Sequence, residues 1–346
     1  MNKVHVKAST KEYDVTIGTG LDVGSLLSEV HKICKIMLVS DDTVYGLYGK
    51  KTEDSLKAAG FEVFSFVFEH GEKSKNISVA EKLMIEMTEK GITKIDLLLA
   101  LGGGVVGDLT GFAASVYLRG MDFVQVPTTL LAAVDSSVGG KTAVDLPNGK
   151  NLVGAFHQPV AVFCDVDSFQ SLPAEIYSDG MAEAVKYGMI YDSDLFGQIE
   201  NGTISDEDLV KRSVEIKAEV VEKDEFDKGP RHILNFGHTL GHAIETLSGY
   251  SIGHGSGVAM GMAVLGDVYL SEEDSARLNA VLKKYGLYNI PSYDIHETAV
   301  LAKVDKKAHG NLIRAVLPVA IGEVKLQDVT VEEWEEILRK GIGRLS

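Results

Sequence analysis

The sequence predicts an α/β fold in which an N-terminal Rossmann-like, doubly wound domain is followed by an all-α C-terminal domain. Two observations carry this prediction. Up to about residue 170, short β-branched runs alternate with amphipathic segments, as in a parallel sheet with helices on both faces. From Pro173 onward, nearly every segment has the periodicity of a helix. We therefore predict a boundary near SFQSLP, with residues 1–170 in the first domain and 171–346 in the second.

The early elements of the first domain follow from apolar patterning. KIMLVS (35–40) and EVFSFVF (62–68) are predicted strands, and the helical stretch between them ends near Gly60. Apolar residues three and four apart predict a helix over 77–91, with Gly91 as its C-terminal cap. This β-α-β-α order indicates right-handed crossovers.

The central strand of the predicted sheet is IDLLLAL (95–101), which is too uniformly apolar for a half-exposed strand. A helix reaching Arg119 and the strand FVQVP (123–127) follow it. In the second domain, helices are predicted over 174–190, 206–228, 231–248, 255–271, 273–285 and 331–340. Ligands of doubly wound proteins bind at the carboxyl ends of the strands, so we expect the chemistry there.

Composition narrows the class of protein. The 346 residues include 34 Lys and Arg against 50 Asp and Glu, a net charge of -16, which argues against nucleic acid or an anionic membrane as a partner. The sequence shows no long apolar run and no signal peptide, which predicts a cytoplasmic protein. Cys34 and Cys164 lack metal-ligand spacing and are expected to be buried free thiols.

Glycine is concentrated in two clusters, ten between Gly102 and Gly154 and nine between Gly229 and Gly266. In LALGGGVVGDLTG a strand runs through glycines directly into a helix. Such a turn can admit a pyrophosphate to backbone N–H groups, or it can be a close strand-helix turn without a ligand. The segment matches neither GxGxxG nor the phosphate loop GxxxxGK[ST], so the pattern leaves both interpretations open.

Two further sets of polar residues are candidates for chemistry. VDSSVGGKTAVDLPNGKN holds Lys141 and Lys150 in glycine-rich loops, where lysine either binds phosphate or is solvated. His238 and His242 are four apart on one helix face, and His254 follows. By spacing alone His238 and His242 form the natural ligand pair of a zinc-type site, although structural histidines are common.

Six segments together resemble the 3-dehydroquinate synthase family. They are GGGVVGDLTGFAASVYLRG, VPTTLLAAVDSSVGGKTAVD, NGKNLVGAFHQP, GMAEAVKYG, RHILNFGHTLGHAIE and HGSGVAMGM, and the resemblance spans about residues 70 to 320. It implies a dehydroquinate synthase-like fold and a phosphate-eliminating lyase of the shikimate pathway. Such an enzyme converts 3-deoxy-D-arabino-heptulosonate 7-phosphate (DAHP) into 3-dehydroquinate. NAD, a divalent metal (Zn²⁺, or else Co²⁺) and a homodimer are implied as well.

The resemblance also implies roles for individual residues. The metal ligands are Glu183, His238 and His254, with His242 as an acid-base or enolate-stabilising group. NAD contacts are Asp41, Glu72, Lys75, Gly103, Gly104, Val105, Asp108, Thr128, Thr129, Lys141 and Lys150, and part of SFQSLP is implied to line the same pocket. Substrate contacts are Asp135, Lys141, Asn151, Lys186, Lys217, Arg231, Asn235 and Lys306 or Lys307. Arg119 is implied to reach across the dimer interface.

Departures from the family pattern and three rival functions accompany this interpretation. Ala174 to Ile176 stand where an arginine is common, His157 replaces an aromatic residue, and Pro230 precedes Arg231 where leucine is usual. One rival is a cyclase for another sugar phosphate, of the 2-deoxy-scyllo-inosose or valiolone type. Another is a metal-dependent dehydrogenase of the glycerol dehydrogenase type, which would accumulate NADH. A non-catalytic nucleotide-binding relative is the third.

Overall fold

A twisted sheet organises the first half of the chain in the computed structural model, which describes residues 1–249, 251–288, 294–304 and 312–345. The strands are β1 (Asn2–Lys7), β2 (Glu12–Gly18), β3 (Lys35–Asp41), β4 (Glu62–Phe68), β5 (Leu97–Gly102), β6 (Asp122–Pro127), β7 (Lys141–Leu146), β8 (Gly149–Phe156) and β9 (Ala161–Asp165). The sheet has the order β1-β2-β9-β6-β5-β3-β4, while β7 and β8 form a separate antiparallel hairpin.

The doubly wound prediction is confirmed. All neighbouring strands from β2 to β4 are parallel, and only the edge strand β1 is antiparallel. Strand β5 is buried along its whole length because helices cover both faces of the sheet. It begins at Leu97, later than the predicted start, because Ile95 is 81% exposed in the preceding loop.

Helices follow the strands in the predicted alternation. They are α1 (Val23–Val30), α2 (Asp42–Val44), α3 (Lys50–Ala58), α4 (Ile77–Glu89) and α5 (Gly104–Val116). Alternate residues of β5 pack into two different hydrophobic cores, with Leu98 and Ala100 in one and Leu97 and Leu99 in the other. Gly91 follows α4 with a φ of +64°, a conformation that favours glycine, as its predicted capping role requires.

The second half is helical, as predicted. Its helices are α6 (Ala174–Ile190), α7 (Ser193–Asn201), α8 (Asp206–Lys223), α9 (His238–Leu247), α10 (His254–Tyr269), α11 (Glu272–Lys284), α12 (Ile295–Val304) and α13 (Val331–Leu345). The helix predicted from residue 231 instead begins at His238, because Gly237 has a φ of +79° and a 3₁₀ turn, Pro230–Asn235, precedes it. The prediction also omitted a hairpin of β10 (Leu312–Ala320) and β11 (Glu323–Thr330).

The chain divides into two compact units that interleave along the sequence. The first contains Met1–Leu172 and Asp206–Phe226, and the second contains Pro173–Ser205 and Asp227–Ser346. Helix α8 therefore belongs to the first unit, which differs from the predicted division at residue 170. The physical reason is that α8 packs its apolar face on β1 and β2, and Glu225 just beyond it accepts hydrogen bonds from Ser9, Thr10 and Gln158.

Both cysteines are free thiols among the described residues, as predicted, but only Cys164 is buried and Cys34 is half-buried. Burial raises the pKa of Cys34 to about 12 and also raises the pKa of Cys164, so both thiols stay protonated. None of the helices in the described ranges combines the length and apolarity needed to cross a lipid bilayer.

Candidate active site

Strands β3, β5 and β6 end side by side at the carboxyl edge of the sheet. Ser40 pairs with Leu101 and Gly102 pairs with Pro127, which aligns the ends of the three strands. From β3 the chain continues to β4, its neighbour on one side, and then crosses back to β5, its neighbour on the other side. The topological switch point therefore lies between β3 and β5. The predicted cofactor residue Asp41 is the last residue of β3. The ends of β5 and β6 are followed by the other predicted cofactor residues, Gly103, Gly104, Val105, Thr128 and Thr129.

The glycine turn between β5 and α5 is required by packing and leads into a helix without a side-chain cap. A Cβ on Gly102 would lie 2.5 Å from Val106 Cγ2, and one on Gly107 would lie 2.5 Å from Gln125 Oε1. Helix α5 starts at Gly104, and its N-cap residue Gly103 makes no side-chain capping hydrogen bond. First-turn amides without a side-chain cap and the helix dipole together suit a pyrophosphate.

A buried lysine connects two of the predicted ligand-binding groups. Lys75 Nζ lies 2.6 Å from Asp108 Oδ2 and 2.6 Å from Asn151 Oδ1. Burial lowers the pKa of Lys75, but Asp108 and Glu72 outweigh it, so the net shift is upward and the lysine stays charged. An ammonium only donates, so the oxygen of the Asn151 amide must face Lys75. The NH₂ group of Asn151 is thereby left to donate to a ligand.

Other predicted contacts of the first unit are also brought together. Lys150 Nζ lies 3.9 Å from Glu72 Oε1. Lys217 Nζ on α8 donates to the Asp135 carbonyl at 2.7 Å and lies 2.9 Å from Asp135 Oδ1. This pair depends on the packing of α8 in the first unit, which keeps an almost fully buried cation beside a carboxylate.

Two hydrogen bonds from distant residues hold the turn before Lys141. Gly139 and Gly140 have φ values of +91° and +70°, which favour glycine. The Gly139 N–H donates to Tyr13 Oη at 3.1 Å, and the His157 N–H donates to the Gly140 carbonyl at 2.8 Å. The departure at His157 therefore lies against the turn that presents Lys141.

The His157 ring packs as an aromatic side chain would at this position. Its ring stacks on Phe123 at 5.4 Å, and its Nε2 lies 2.8 Å from the Met121 carbonyl oxygen, to which it donates. Burial lowers the pKa of His157, an effect that the Met121 hydrogen bond and Asp122 oppose and Lys11 supports. The folded protein therefore favours the neutral ring.

We expect His157 to make the protein less stable in acid. Above its ordinary pKa of 6.5 both the folded and unfolded forms are neutral, whereas below it the unfolded chain binds the proton first. Stability is thus lost as the pH falls below 6.5, by about 1.4 kcal/mol per unit of pKa depression. Chemical unfolding at pH 7.5 and 5.5 should show a smaller acid loss for His157→Phe, which keeps the stacking.

His296 provides a control, because its pKa is shifted in the opposite direction to that of His157. This exposed ring lies 2.6 Å from Glu335 Oε1, which raises its pKa, so its contribution is present below pH 6.5 and lost above it. His296→Phe should therefore lose more stability in acid than the wild type. Equal acid losses in the wild type and His157→Phe would contradict the account of His157.

A carboxylate and two imidazoles meet in the second unit. Glu183 Oε1 on α6 lies 3.4 Å from His238 Nε2 on α9 and 3.2 Å from His254 Nε2 on α10. Glu183 is fully buried, and neither of its carboxylate oxygens has a hydrogen-bond partner. Lys186, one turn further along α6, forms an ion pair with it. The ligand atoms of the three residues lie within 4.8 Å of one another.

The two imidazoles of this cluster differ in protonation, and both present Nε2 to the Glu183 carboxylate. His238 Nδ1 lies 3.1 Å from the Phe236 carbonyl, to which it donates, so its Nε2 lone pair faces Glu183. Burial lowers the pKa of His238 to about 4. Burial also lowers the pKa of His254, but the adjacent carboxylates of Glu183 and Glu245 outweigh it and raise the pKa to about 10. A carboxylate and two Nε2 atoms fit a divalent metal with an open position.

The second glycine cluster brings the ligand-bearing helices together. A Cβ on Gly261 of α10 would lie 2.0 Å from the Gly237 carbonyl oxygen, directly before His238. A Cβ on Gly241 would lie 2.8 Å from the Gly257 carbonyl carbon, and one on Gly255 would lie 2.1 Å from the Asp179 carbonyl oxygen. These glycines therefore permit contact between helix backbones and not contact with a ligand, as in small-residue helix packing.

The remaining predicted residues are placed as follows. The His242 ring is 5.3 Å from that of His238 and 5.7 Å from that of His254, so it borders the cluster. Arg231 and Lys186 are almost fully buried, and Asn235 ends the 3₁₀ turn. Arg119 follows α5 with a φ of +64°. Lys306 and Lys307 lie outside the described residues.

Glu245 is the residue of this cluster that sequence reasoning missed. Its Oε1 lies 3.0 Å from His254 Nδ1. The signal was present, because a glutamate three residues after His242 shares its helix face.

Comparison with protein families matches both halves of the chain. Residues 65–179 match the family described as 3-dehydroquinate synthase N-terminal, and residues 180–308 match 3-dehydroquinate synthase C-terminal. The 3-dehydroquinate synthase of Nostoc punctiforme is 42% identical over 345 residues, covering 94% of this chain and 95% of the relative. That of Lactococcus lactis subsp. cremoris is 41% identical, covering 98% of this chain and 100% of the relative.

Solved structures of similar fold are sugar phosphate cyclases and alcohol dehydrogenases. A 2-deoxy-scyllo-inosose synthase in complex with carbaglucose-6-phosphate, NAD⁺ and Co²⁺ is 25% identical with a TM-score of 0.87, covering 98% of this chain and 100% of that one. A 2-epi-5-epi-valiolone synthase from Streptomyces hygroscopicus with NAD⁺ and Zn²⁺ is 25% identical with a TM-score of 0.88, covering 96% and 97%. An iron-containing alcohol dehydrogenase, 18% identical with a TM-score of 0.64 over 96% and 97%, shares the fold alone.

Proposed function

The chain belongs to the 3-dehydroquinate synthase family, and from this premise we propose how its residues convert DAHP into 3-dehydroquinate and phosphate. The reaction is a phosphate-eliminating lyase step of the shikimate pathway. Identity above 40% over nearly the whole chain supports this substrate over those of the inosose and valiolone cyclases, which are 25% identical. The single observation that carries the chemistry is the buried Glu183 carboxylate between two imidazoles, without a hydrogen bond of its own.

Glu183, His238 and His254 are proposed to hold the divalent metal, Zn²⁺ or Co²⁺. When bound, such an ion acts as a Lewis acid toward a substrate oxygen. Lys186 pairs with Glu183 and provides a buried positive charge for an anionic substrate. His242, at the border of the cluster, is proposed to hold or move a proton during the reaction.

The carboxyl edge of the sheet in the first unit is proposed to bind NAD. When bound, NAD supplies reversible hydride transfer. The first-turn amides of α5 bind its pyrophosphate, and Asp41 accepts hydrogen bonds from a ribose. The remaining contacts are assigned to Glu72, Lys75, Gly103, Gly104, Val105, Asp108, Thr128, Thr129, Lys141 and Lys150.

The phosphate and carboxylate of DAHP are proposed to meet cationic and amide donors. In the first unit these are Lys141, Lys217 and Asn151, whose NH₂ group is turned outward by Lys75. In the second unit, Arg231 has the planar fork that binds a carboxylate through two hydrogen bonds, and Asn235 adds an amide. Asp135 keeps Lys217 charged and in position.

We further propose a cytoplasmic homodimer in which Arg119 serves the partner's site. Support comes from the turn after α5, where Leu118 and Arg119 both have positive φ and Leu118 is 45% exposed. Backbone in this region is costly for non-glycine residues and is often found at functional sites. A monomer in sedimentation analysis, or the native enzyme recovered outside the cytoplasmic fraction, would contradict these assignments.

The stoichiometry of NAD tests the proposed reaction against a dehydrogenase. Phosphate released from DAHP should exceed the amount of NAD many times over, with no accumulation of NADH. Removal of the metal by a chelator should abolish phosphate release, and Zn²⁺ or Co²⁺ should restore it. One NADH formed per turnover, or full activity without metal, would contradict the proposal.

A further inference from the structure

We infer that Glu245 is a positioning residue of the metal centre, which orients the ring of His254 and thereby sets the affinity for a divalent cation. The inference rests on the metal site proposed above. Glu245 lies on α9, seven residues after His238 and three after His242, so the three side chains share one helix face. The Glu245 side chain is only 4% exposed, and a carboxylate so enclosed requires a partner.

One partner of Glu245 is the His254 ring, at the edge remote from Glu183. Glu245 Oε1 lies 3.0 Å from His254 Nδ1. An ionised carboxylate only accepts hydrogen bonds, so Nδ1 carries the proton and donates it. In the tautomer that binds a metal, the lone pair is then on Nε2, which is the nitrogen 3.2 Å from Glu183 Oε1.

The backbone of His254 is held independently of its ring. The Ser256 N–H, two residues along α10, donates to Asp179 Oδ1 at 3.0 Å. Asp179 precedes Glu183 by one turn of α6, so the start of α10 is attached to the helix that bears the carboxylate ligand. The contact with Glu245 restricts a different motion, the rotation of the imidazole about its side-chain bonds.

The geometry favours Glu183, and not Glu245, as the carboxylate ligand of the metal. His242, Glu245 and His254 also have potential ligand atoms within 4.8 Å of one another. However, Glu245 faces Nδ1 of His254 and Glu183 faces Nε2, so the two carboxylates lie at opposite edges of one ring. A neutral imidazole has one lone pair, and the two buried Glu183 oxygens are those without hydrogen bonds.

Competition for Zn²⁺ with a chromogenic chelator tests this role on the full-length protein without any assay of activity. Glu245→Ala should weaken Zn²⁺ binding about 10- to 100-fold, the usual effect of losing a partner of a histidine ligand. Glu245→Gln should weaken it less, because the amide oxygen still accepts from Nδ1. Glu335→Ala is the matched control, since it removes a carboxylate from the exposed His296 pair and should leave Zn²⁺ affinity unchanged.

The visible spectrum of the Co²⁺-substituted protein distinguishes positioning from ligation. Glu245→Gln should keep the band energies of the wild type, because the ligands are unchanged. Shifted bands, or Zn²⁺ affinities of both Glu245 variants equal to that of the wild type, would overturn the inference. Fluorescence of the buried Trp334 reports whether each variant folds, and Glu245→Gln decides the matter if Glu245→Ala does not.

The same measurements separate this inference from the metal site on which it rests. If the wild type does not bind Zn²⁺, or if His254→Ala binds it equally well, the proposed metal site fails. If both behave as expected and only the Glu245 variants are unaffected, the positioning role alone fails.

Discussion

Replacing His254 by alanine is expected to lower the affinity for Zn²⁺ by at least about a hundredfold and to lower phosphate release from DAHP with it. Four-ligand zinc sites bind with about 10–16 kcal/mol, so one ligand accounts for about 3 kcal/mol, or roughly two orders of magnitude. His254 Nε2 lies 3.2 Å from Oε1 of the buried Glu183 carboxylate, and His238 Nε2 lies 3.4 Å from the same oxygen. Chelator competition measures the affinity directly.

His242→Ala is the matched comparison on the same cluster. Its ring borders those of His238 and His254, but it is not in the group formed around Glu183. The variant should retain Zn²⁺ and lose turnover, because His242 is assigned to proton transfer. If His242→Ala lost the metal and His254→Ala kept it, the ligand assignment would be wrong.

The contact between α9 and α10 predicts the largest loss of stability. In Gly261→Ala the new Cβ would lie 2.0 Å from the Gly237 carbonyl oxygen, and backbone cannot rotate away as a flexible side chain can. Such overpacking costs typically 1–3 kcal/mol and occasionally more, so we expect a loss of about 3 kcal/mol in the free energy of unfolding. His238 directly follows Gly237, so Zn²⁺ affinity should fall as well.

Gly197→Ala provides the control for this prediction. Gly197 lies within α7, and a Cβ added to it would have nothing within 4 Å. Alanine is the better helix former, so this variant should gain about 0.5–1 kcal/mol. Denaturant unfolding followed by the fluorescence of Trp334, the single tryptophan, measures both variants. Equal stability of Gly261→Ala and the wild type would contradict the close-packed arrangement.

Patterning predicts the sheet well because its signal is local. The uniformly apolar run that became β5 and the β-branched runs of β3, β4 and β6 each have their cause within a few residues. The position of α8 could not be predicted in this way. Its place in the first unit depends on contacts with β1 and on the Glu225 hydrogen bonds to Ser9 and Thr10, about 215 residues away in sequence.

In the candidate site, too, features set by nearby residues could be predicted from the sequence and features set by distant contacts could not. Spacing favoured His238 and His242 as the ligand pair, and only the family resemblance selected Glu183 and His254. In the structure Glu183 and His254 come from different helices, and glycine contacts between the helix backbones bring them close to His238. A helical repeat contains no information about such crossings, which depend on the packing of three helices.

The prediction drawn from the two glycine clusters was correct only in part. Two local clusters correctly indicated close approach of the backbone, but the sequence did not distinguish approach to a ligand from approach to another helix. At Gly103 the structure has a helix start without a side-chain cap, which suits an anion. At Gly261 it has a carbonyl of the neighbouring chain segment in the space that a side chain would need.

Identification of the product formed from DAHP tests the central claim most directly. Purified enzyme with Zn²⁺ and a small amount of NAD should form 3-dehydroquinate and phosphate in equal amounts, as measured by nuclear magnetic resonance and a phosphate assay. Glucose 6-phosphate, offered in parallel, should release no phosphate. Release of phosphate from glucose 6-phosphate with none from DAHP would contradict the account.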